Sequence, residues 1–171
     1  DEKNLGVVLV DVGGGTTDVA VFCDGSIRHT AVIGLGGASV TNDIAIGLRT
    51  PIDKAEQLKV EHGCALSSLV SESEKIMVPG VGGRPTRELS RHVLSAMIEP
   101  RMEEIFTMAF KEVKKNHVPD LLSAGVVITG GAAVMQGVTE MAEQVFQLPV
   151  RIGVPTGVFG LVDAVGDPRF A

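Results

Sequence analysis

Asp11-Val12-Gly13-Gly14-Gly15-Thr16-Thr17-Asp18 is a glycine-rich turn that stands between two segments with the pattern of β-strands. Leu5 to Val10, which precede it, are almost all apolar, as is typical of a strand buried on both faces. Asp18 to Phe22 follow with a second strand pattern, and an Asp24-Gly25 turn leads into a third, Ser26 to Ile33. The glycines are therefore predicted to form the tip of a β-hairpin.

The composition of this tip favours phosphate binding. Gly13, Gly14 and Gly15 would let backbone N–H groups close on phosphate oxygens without interference from side chains. Thr16 adds a hydroxyl, and Asp11 could hold a hydrated Mg²⁺ against the phosphates. The alternative is a tight glycine-rich turn without a ligand, but such a turn needs one or two glycines. A P-loop is excluded, because the glycines open no helix and no Lys-Ser/Thr pair follows them.

A second glycine turn is predicted farther along the chain. Val126 to Thr129 have the pattern of a buried strand that ends in Gly130 and Gly131, and a helix, Val138 to Phe146, and a strand, Val150 to Ile152, follow. A single Gly-Gly pair is weak evidence for ligand contact. Two glycine turns that follow two buried strands fit a shared cleft better, because open α/β sheets bind ligands at the ends of their strands.

A helix is predicted to begin at Thr50 and to end before Gly63, with Thr50 as its N-cap and Pro51 at its first helical position. Glu56 and Lys59 stand three residues apart on this helix and so share a face. Spacing alone favours an ordinary solvated ion pair, which contributes about 0.2–0.5 kcal/mol to helix stability.

A longer helical pattern, residues 89–115, contains Pro100. Since proline breaks or kinks the interior of a helix, an interruption and a subdomain boundary are predicted there. The chain is therefore predicted to be an α/β protein with an inserted subdomain. Residues 1–50 and 100–171 would form one RNase H-like layer structure, and residues 51–99 a smaller α/β unit carried on it.

The composition is that of an ordinary globular protein, with 44% hydrophobic and 21% charged residues. A formal net charge of −6 argues against nucleic acid or anionic lipid as a general partner. Cys23 and Cys64 are too few for a disulfide framework and are predicted to be buried thiols. No apolar stretch is long enough to span a membrane, and the lack of a starting Met suggests a piece of a longer protein.

Several further segments cover nearly the whole chain. They are Thr41-Asn42-Asp43-Ile44-Ala45, Ala55-Glu56-Gln57-Leu58-Lys59, His62-Gly63-Cys64-Ala65, Val81-Gly82-Gly83-Arg84-Pro85, Ile98-Glu99-Pro100-Arg101, Val127-Ile128-Thr129-Gly130-Gly131-Ala132-Ala133 and Arg151-Ile152-Gly153. Together with the glycine hairpin, and in this order, they resemble the FtsA family of bacterial cell division proteins, which are actin-like ATPases. The hairpin alone would also fit heat-shock chaperones, MreB-type filament proteins and sugar kinases.

This resemblance implies an actin-like fold of which the chain is the C-terminal half. Residues 51–99 would be subdomain IIB, and the remainder would be subdomain IIA. The resemblance also implies ATP and Mg²⁺ as ligands of the hairpin and of the second glycine turn, Gly130 and Gly131. Glu56 and Lys59 match positions that flank the adenosine in the wider superfamily.

The resemblance further implies docking of the C-terminal tail of the tubulin-like protein FtsZ, assembly into actin-like filaments and tethering of the FtsZ ring to the cytoplasmic membrane. The protein would then lie in the cytoplasm, at the inner face of the membrane at the division site. Arg87, Arg101 and Glu104 match the docking region, where arginines would suit an acidic tail, and solvated surface charge is the alternative. The family's membrane anchor is a C-terminal amphipathic helix, and the chain ends at Ala171 without that pattern.

An actin-like nucleotide site lies between two halves, and this chain carries one phosphate hairpin of the two. Asp18 is the nearest candidate for orienting a water molecule, but a carboxylate there could simply bond the backbone at the hairpin mouth. No catalytic residue is therefore assigned. The chain alone is expected to bind nucleotide weakly without hydrolysing it, and the full-length protein to be at most a weak ATPase. The alternatives are half of an actin-like pilus-assembly scaffold or of a chaperone- or kinase-type ATPase.

Overall fold

The computed structural model describes residues 2–115 and 122–154, and within these ranges the chain forms five α-helices and seven strands. In chain order they are α1 (Glu2–Leu5), β1 (Val7–Val12), β2 (Thr17–Cys23), β3 (Ser26–Ile33), α2 (Gly37–Leu48), α3 (Ile52–His62), β4 (Lys75–Val78), β5 (Arg87–Ser90), α4 (Arg91–Lys114), β6 (Val126–Thr129), α5 (Val138–Phe146) and β7 (Val150–Ile152). Two short 3₁₀ turns, Ser67–Leu69 and Gly131–Val134, complete the described structure.

Five of the strands form one mixed sheet in the order β3-β2-β1-β6-β7. β1, β2 and β3 pair antiparallel, whereas β1 with β6 and β6 with β7 pair parallel. Because neighbouring parallel strands end at the same edge of a sheet, the glycine turns that follow β1 and β6 lie side by side. Asp11 stands opposite Thr129 in this register. The predicted shared cleft therefore has a structural basis at this edge.

The first glycine turn is the tip of a β-hairpin, as predicted. β1 and β2 pair as far as Val12 and Thr17, so that residues 13–16 remain outside the paired strands. The next turn is formed by Asp24 and Gly25, whose φ angles of 52° and 72° are those of the tight turns that suit a twisted hairpin. The predicted strands β6 and β7 and the helix α5 are confirmed at the predicted residues.

The core lies between the sheet and the helices α2, α4 and α5. One face of α4 is wholly buried, and its members are Leu94, Ile98, Met102, Ile105, Phe106, Ala109 and Val113. Phe106 meets Phe146 of α5 edge to face, with the ring centroids 6.4 Å apart. This long buried face packs α4 against the sheet and against α2 and α5.

α4 is one continuous helix of 24 residues, and the predicted interruption at Pro100 is wrong. Proline inside a helix removes one N–H donor and costs about 3 kcal/mol. Ile98 and Met102, on either side of it, are both completely buried. Burial of two such side chains contributes about 3–6 kcal/mol, which offsets the local penalty. The division of the chain into residues 1–50 with 100–171 and residues 51–99 stays a prediction, with one of its boundaries inside α4.

β5 was not predicted, and it forms a two-stranded antiparallel sheet with β4. Ser90 ends this strand and is the N-cap of α4, where its hydroxyl accepts the His92 N–H at 3.2 Å. Serine is among the residues best suited to that position. The chain therefore passes from the small sheet into α4 without a loop.

α3 begins differently from the prediction. Thr50 is not its N-cap: Pro51 takes that position without a side-chain cap, and the Thr50 hydroxyl donates to the Pro79 carbonyl at 2.6 Å. At the other end Gly63 is extended rather than left-handed. A glycine is still required there, because a Cβ atom would collide with the Lys59 carbonyl.

Cys23 and Cys64 are buried free thiols, as predicted. Among the described residues, no helix has both the length and the apolar character needed to cross a membrane. The expectation that no amphipathic anchor precedes Ala171 falls on residues 155–171, which lie outside the described residues.

Candidate functional site

A cavity of about 290 Å³ opens where the glycine hairpin, the start of α2, α3 and the turn after β6 meet. Its lining residues are Gly13, Gly14, Gly37, Glu56, Lys59, Val60, Gly131, Ala132, Val134 and Met135. The structure thus brings together five of the residues predicted from sequence to bind a nucleotide, namely Gly13, Gly14, Glu56, Lys59 and Gly131. The other four, Asp11, Gly15, Thr16 and Gly130, are not part of the lining.

The hairpin tip offers free backbone donors. The Gly13 N–H is engaged, because it donates to the Thr16 carbonyl at 2.9 Å. The N–H groups of Gly14, Gly15 and Thr16 have no acceptor in the described part of the chain. A Cβ atom on Gly14 or Gly15 would meet nothing within 4 Å, and neither residue has a positive φ. The fold itself therefore does not require glycine at these two positions, whereas close approach of a ligand to the backbone would.

The hairpin is joined to the start of α2. Gly37 N–H donates to the Gly13 carbonyl at 2.9 Å, and Ala38 N–H donates to the Gly14 carbonyl at 2.7 Å. The first N–H groups of a helix lack partners within the helix, and here the hairpin carbonyls satisfy two of them. A Cβ atom on Gly36 would stand 2.6 Å from the Gly13 oxygen, so the two segments approach as closely as backbone allows.

Two carboxylates stand at the mouth of the hairpin. Asp11 and Asp18 are partners in the register of β1 and β2. Burial raises the pKa of the Asp11 carboxyl, and the neighbouring Asp18 charge raises it further. The Thr16 hydroxyl donates to Asp18 Oδ2 at 3.2 Å, so that in this structure it serves Asp18. A cation at this point would relieve the unfavourable charge on Asp11.

Gly130 brings the second glycine turn against Asp11. Its φ of 92° is disfavoured for other residues, and a Cβ atom would collide with Asp11 Oδ1 and with the Val12 carbonyl, the latter 2.5 Å away. Gly130 is therefore required by the fold, whereas Gly131, the next residue, reaches the cavity lining. The described residues contain no group of three or more His, Cys, Asp or Glu that could chelate a metal directly.

Lys59 is the centre of a hydrogen-bonded cluster on one cavity wall. Its Nζ donates to Glu56 Oε2 at 2.7 Å, to Thr41 Oγ1 at 2.9 Å and to the Gly37 carbonyl at 3.1 Å. An ammonium group has three protons, and all three are used. Only 11% of the Lys59 side chain is exposed, compared with 49% of the Glu56 side chain. Glu56 therefore keeps a free face toward the cavity, whereas Lys59 also ties α3 to the start of α2.

Thr41 was missed as a site residue, although it lies in a predicted motif. Its hydroxyl is within hydrogen-bonding distance of both the Gly37 carbonyl and Glu56 Oε2 and donates its single proton to one of them at a time. Burial opposes ionisation of Glu56, but hydrogen bonds from Lys59 and Thr41, with the Lys59 charge, lower its pKa on balance. A signal was available, since Thr41 is a polar residue beside the buried stripe of α2.

The predicted docking residues lie against α2. Arg101 donates from Nε and Nη2 to the two carboxylate oxygens of Asp43, at 2.6 and 3.1 Å, and from Nη1 to Glu104 Oε2 at 2.6 Å. The hydrogen bonds to Asp43 are the main reason that the pKa of Arg101 is raised above its usual value. Arg87 donates from Nη2 to the Leu48 carbonyl at the end of α2, at 2.6 Å. The structure thus pairs Arg101 with Glu104, and Asp43 is a partner that the sequence did not reveal.

The cavity is polar at the hairpin and apolar farther along its wall. Backbone donors and carboxylates lie at the hairpin, whereas Val60, Val134 and Met135 supply apolar surface farther along the wall. Pockets with mostly apolar walls and a few placed polar groups are the usual form of small-molecule sites.

Comparison with known proteins identifies relatives over the whole chain. The family model for cell division protein FtsA matches residues 8–171. The FtsA proteins of Pseudomonas aeruginosa and Neisseria meningitidis are 53% and 48% identical over the full chain. The Escherichia coli K12 protein is 45% identical. The chain covers 41–42% of the length of these relatives.

Solved structures show the same fold at lower identity. MreB5 of Spiroplasma citri bound to ADP superposes with a TM-score of 0.73 at 21% identity, over 88% of this chain and 49% of that chain. The ethanolamine utilization protein EutJ of Carboxydothermus hydrogenoformans gives 0.63 at 22% identity, over 98% of this chain and 50% of that one. A PilM-PilN type IV pilus biogenesis complex superposes with a TM-score of 0.65 at 13% identity, over 90% of this chain and 37% of that chain. The actin-like α/β fold predicted from sequence is thereby confirmed.

Proposed function

Because this chain belongs to the FtsA family of cell division proteins, we propose that it is the nucleotide-binding and partner-docking half of an actin-like division adaptor. One observation carries the nucleotide part of this proposal. Gly13, Gly14, Glu56, Lys59 and Gly131 come from separate segments of the chain, and they line a single cavity.

The phosphate end of an ATP molecule would lie at the hairpin. The N–H groups of Gly14, Gly15 and Thr16, which have no acceptor among the described residues, are suited to phosphate oxygens, since oriented backbone donors form anion-binding concavities. The nucleoside would lie along the apolar wall, with the free face of Glu56 able to accept hydrogen bonds from ribose hydroxyls. Structures of the same fold in MreB5 contain ADP and AMPPNP, which supports this choice of ligand.

Mg²⁺ would be held by Asp11, through water, together with the phosphates. The donor set fits, because Mg²⁺ usually keeps several waters and takes one or two carboxylates plus substrate phosphates. Asp11 and Asp18 are neighbours in the sheet register, and burial and the Asp18 charge already disfavour a bare Asp11 carboxylate. When bound, the ion would neutralise charge on the phosphates.

We assign binding rather than hydrolysis to this chain. Phosphoryl transfer to water needs a group that orients the attacking water. Glu56 is held by Lys59 and Thr41, and Asp18 accepts from Thr16 outside the cavity lining. No residue is therefore assigned the role of orienting the attacking water.

The docking part of the proposal is that Arg87, Arg101 and Glu104 receive the acidic C-terminal tail of FtsZ. Arg101 would have to exchange its bonds to Asp43 and Glu104 for bonds to the tail. Arg87 has no carboxylate partner among the described residues and bonds only a carbonyl, so it is the more available cation. Membership of the FtsA family supports the wider role as well, namely filament assembly and attachment of the FtsZ ring to the cytoplasmic membrane at the division site.

Nucleotide binding is tested with a fluorescent ATP analogue, because the chain contains no Trp or Tyr. Gly14→Ala should weaken binding by about tenfold or more, since the methyl group would point into the phosphate position. Gly34→Ala is the matched control, because a Cβ atom there also meets nothing within 4 Å and the residue does not line the cavity. Equal affinity of both variants and the unmodified chain would refute the hairpin as the phosphate site.

Docking is tested with a labelled FtsZ tail peptide. Arg87→Ala should weaken its binding, whereas Arg28→Ala should not, because Arg28 lies near the start of β3 and pairs with Asp24. Saturable binding that survives loss of Arg87 would move the docking surface elsewhere.

A pilus-assembly scaffold is the second candidate, favoured only by the fold shared with the PilM-PilN complex. Binding of a pilus-protein peptide in place of the FtsZ tail would support it. The family match over residues 8–171 favours the division role.

A further inference from the structure

Arg91, the first residue of α4, holds three separate segments together. Its Nε donates to the His62 carbonyl at 2.8 Å, its Nη1 to Glu74 Oε2 at 2.8 Å and its Nη2 to Gln136 Oε1 at 2.5 Å. Only 18% of the side chain is exposed. The Arg91 backbone N–H also donates to the Glu74 carbonyl at 2.8 Å. The cluster has no part in the site described above.

Two of these three partners stand at the ends of the cavity walls. His62 is the last residue of α3, the helix that carries Glu56, Lys59 and Val60 on the lining. Gln136 directly follows Met135 at the end of the opposite wall. Arg91 therefore spans from one wall to the other.

The backbone makes a second connection at the same place. Ala65 N–H donates to the Gln136 carbonyl at 2.8 Å, and Cys64 pairs with Gln136 as an isolated bridge. This connection joins the segment after α3 to Gln136, and the guanidinium bonds the end of α3 itself. Removal of the guanidinium would leave the chain connected at Gln136 while freeing the last turn of α3.

The choice of residue agrees with this geometry. A guanidinium presents several N–H donors in a rigid plane, so one side chain can bond three acceptors in fixed directions. A positive charge beside the last carbonyls of α3 is also favourable, and Glu74 neutralises it on the other side. Lysine, with a single ammonium on a flexible stem, cannot reproduce this arrangement.

We propose that Arg91 is a positioning residue that sets the separation of the two cavity walls and thereby controls binding of the nucleoside part of the ligand. This inference rests on the proposed nucleotide function. None of the three side-chain bonds of Arg91 reaches the hairpin, where the phosphates would lie. Arg91 therefore acts on one end of the ligand only.

The test compares two ligands, the fluorescent ATP analogue and inorganic tripolyphosphate as its competitor at the hairpin. Arg91→Ala should weaken binding of the nucleotide analogue by about tenfold. Its affinity for tripolyphosphate should change by no more than about twofold. Arg91→Lys should not restore nucleotide affinity. Arg28→Ala, which removes an arginine from a single exposed ion pair, should change neither. Gln136→Ala, which removes one acceptor, should give a smaller loss that is not additive with Arg91→Ala.

Equal weakening of both ligands by Arg91→Ala would overturn the inference, because it would indicate a general loss of structure. Unchanged nucleotide affinity would overturn it as well.

If the unmodified chain binds neither ligand, the proposed nucleotide function fails, and amide hydrogen exchange decides whether Arg91 holds the two walls together. Arg91→Ala must then speed exchange of the Ala65 and Met135 N–H groups and leave that of Gly13 unchanged. Unchanged exchange at Ala65 would refute a role in holding the walls together.

Discussion

The carbonyl oxygen of Gly13 lies 2.6 Å from the position that a Cβ atom on Gly36 would occupy. The same oxygen accepts the Gly37 N–H at 2.9 Å. The hairpin tip and the first turn of α2 are thus in direct backbone contact. A side chain at residue 36 would fit only if this contact were broken, because the atoms with which it would collide are backbone atoms.

Gly36→Ala should therefore destabilise the fold. We expect a loss of about 1–3 kcal/mol in the free energy of unfolding, as for other overpacked sites. Urea or thermal unfolding followed by circular dichroism measures it. Gly34→Ala, two residues away in open space, should stay within about 0.5 kcal/mol of the unmodified chain. Equal stability of the two variants would contradict the close approach described here.

Asp11→Asn should stabilise the chain at neutral pH. Burial and the Asp18 charge raise the pKa of Asp11 in the folded state, so its contribution to stability is present in acid and is lost as the pH rises through the folded pKa. The ionised carboxylate consequently disfavours folding at pH 7. The unfolding midpoint of the variant should be higher at pH 7 and should match the unmodified chain at about pH 3, where the Asp11 carboxyl is protonated in both states.

The same variant should lose the effect of Mg²⁺ on nucleotide binding. If Asp11 holds the hydrated ion, Mg²⁺ should strengthen binding of the ATP analogue to the unmodified chain and leave Asp11→Asn unaffected. A stabilised variant that still responds to Mg²⁺ would place the ion elsewhere.

The effect of Glu56→Gln on stability should depend on pH in the opposite sense to the effect of Asp11→Asn. Although burial opposes it, hydrogen bonds from Lys59 and Thr41 lower the pKa of Glu56 below the ordinary value of 4.5. The ionised Glu56 carboxylate therefore stabilises the fold at pH values above its ordinary pKa. This stabilisation is lost as the pH falls through the pKa of the folded state. The variant should be less stable at pH 7, by at most about 1 kcal/mol because the carboxylate is half exposed, and the difference should shrink toward pH 3. Glu61→Gln, on the same helix and mostly exposed, is the control.

Arg101→Glu should destabilise the chain whether or not a partner binds there. The substitution would place three carboxylates together, since Asp43 and Glu104 already surround the guanidinium. We expect a loss of about 1–2 kcal/mol in the free energy of unfolding, part of which Asp43→Asn should recover in the double variant. Loss of tail binding in Arg101→Glu alone would not identify a docking surface. Additive effects of the two substitutions would show that the pair does not interact.

The parts of the fold that could be predicted from sequence are those set by local patterns. The apolar runs around the glycine hairpin and the amphipathic stretch from Val138 to Phe146 specify their own structure. Pro100 shows where such reasoning fails: a local rule predicts a break, and burial of Ile98 and Met102 in a common core overrides it. Thr50 failed as a cap for a similar reason, because its hydroxyl bonds a carbonyl 29 residues away.

Some residues of the candidate site could likewise be predicted from sequence, and others could not. The glycines could be recognised from their motifs and the Glu56-Lys59 pair from the family resemblance, and five of the nine predicted nucleotide ligands line the cavity. Asp43 and Arg91 could not be assigned from sequence, because their roles depend on which distant segments meet. Arg91, for example, bonds Gln136, which lies 45 residues farther along the chain.

α2 connects the two ends of the molecule at which we place ligands. Its first turn holds the hairpin through Gly37 and Ala38, and its last carbonyl, on Leu48, is bonded by Arg87. A helix of 12 residues is about 18 Å long and resists compression along its axis. While these bonds hold, the hairpin tip and Arg87 are fixed to opposite ends of one rigid helix. A ligand at the hairpin and a partner at Arg87 would therefore bear on the two ends of a single helix, whose buried face is part of the core.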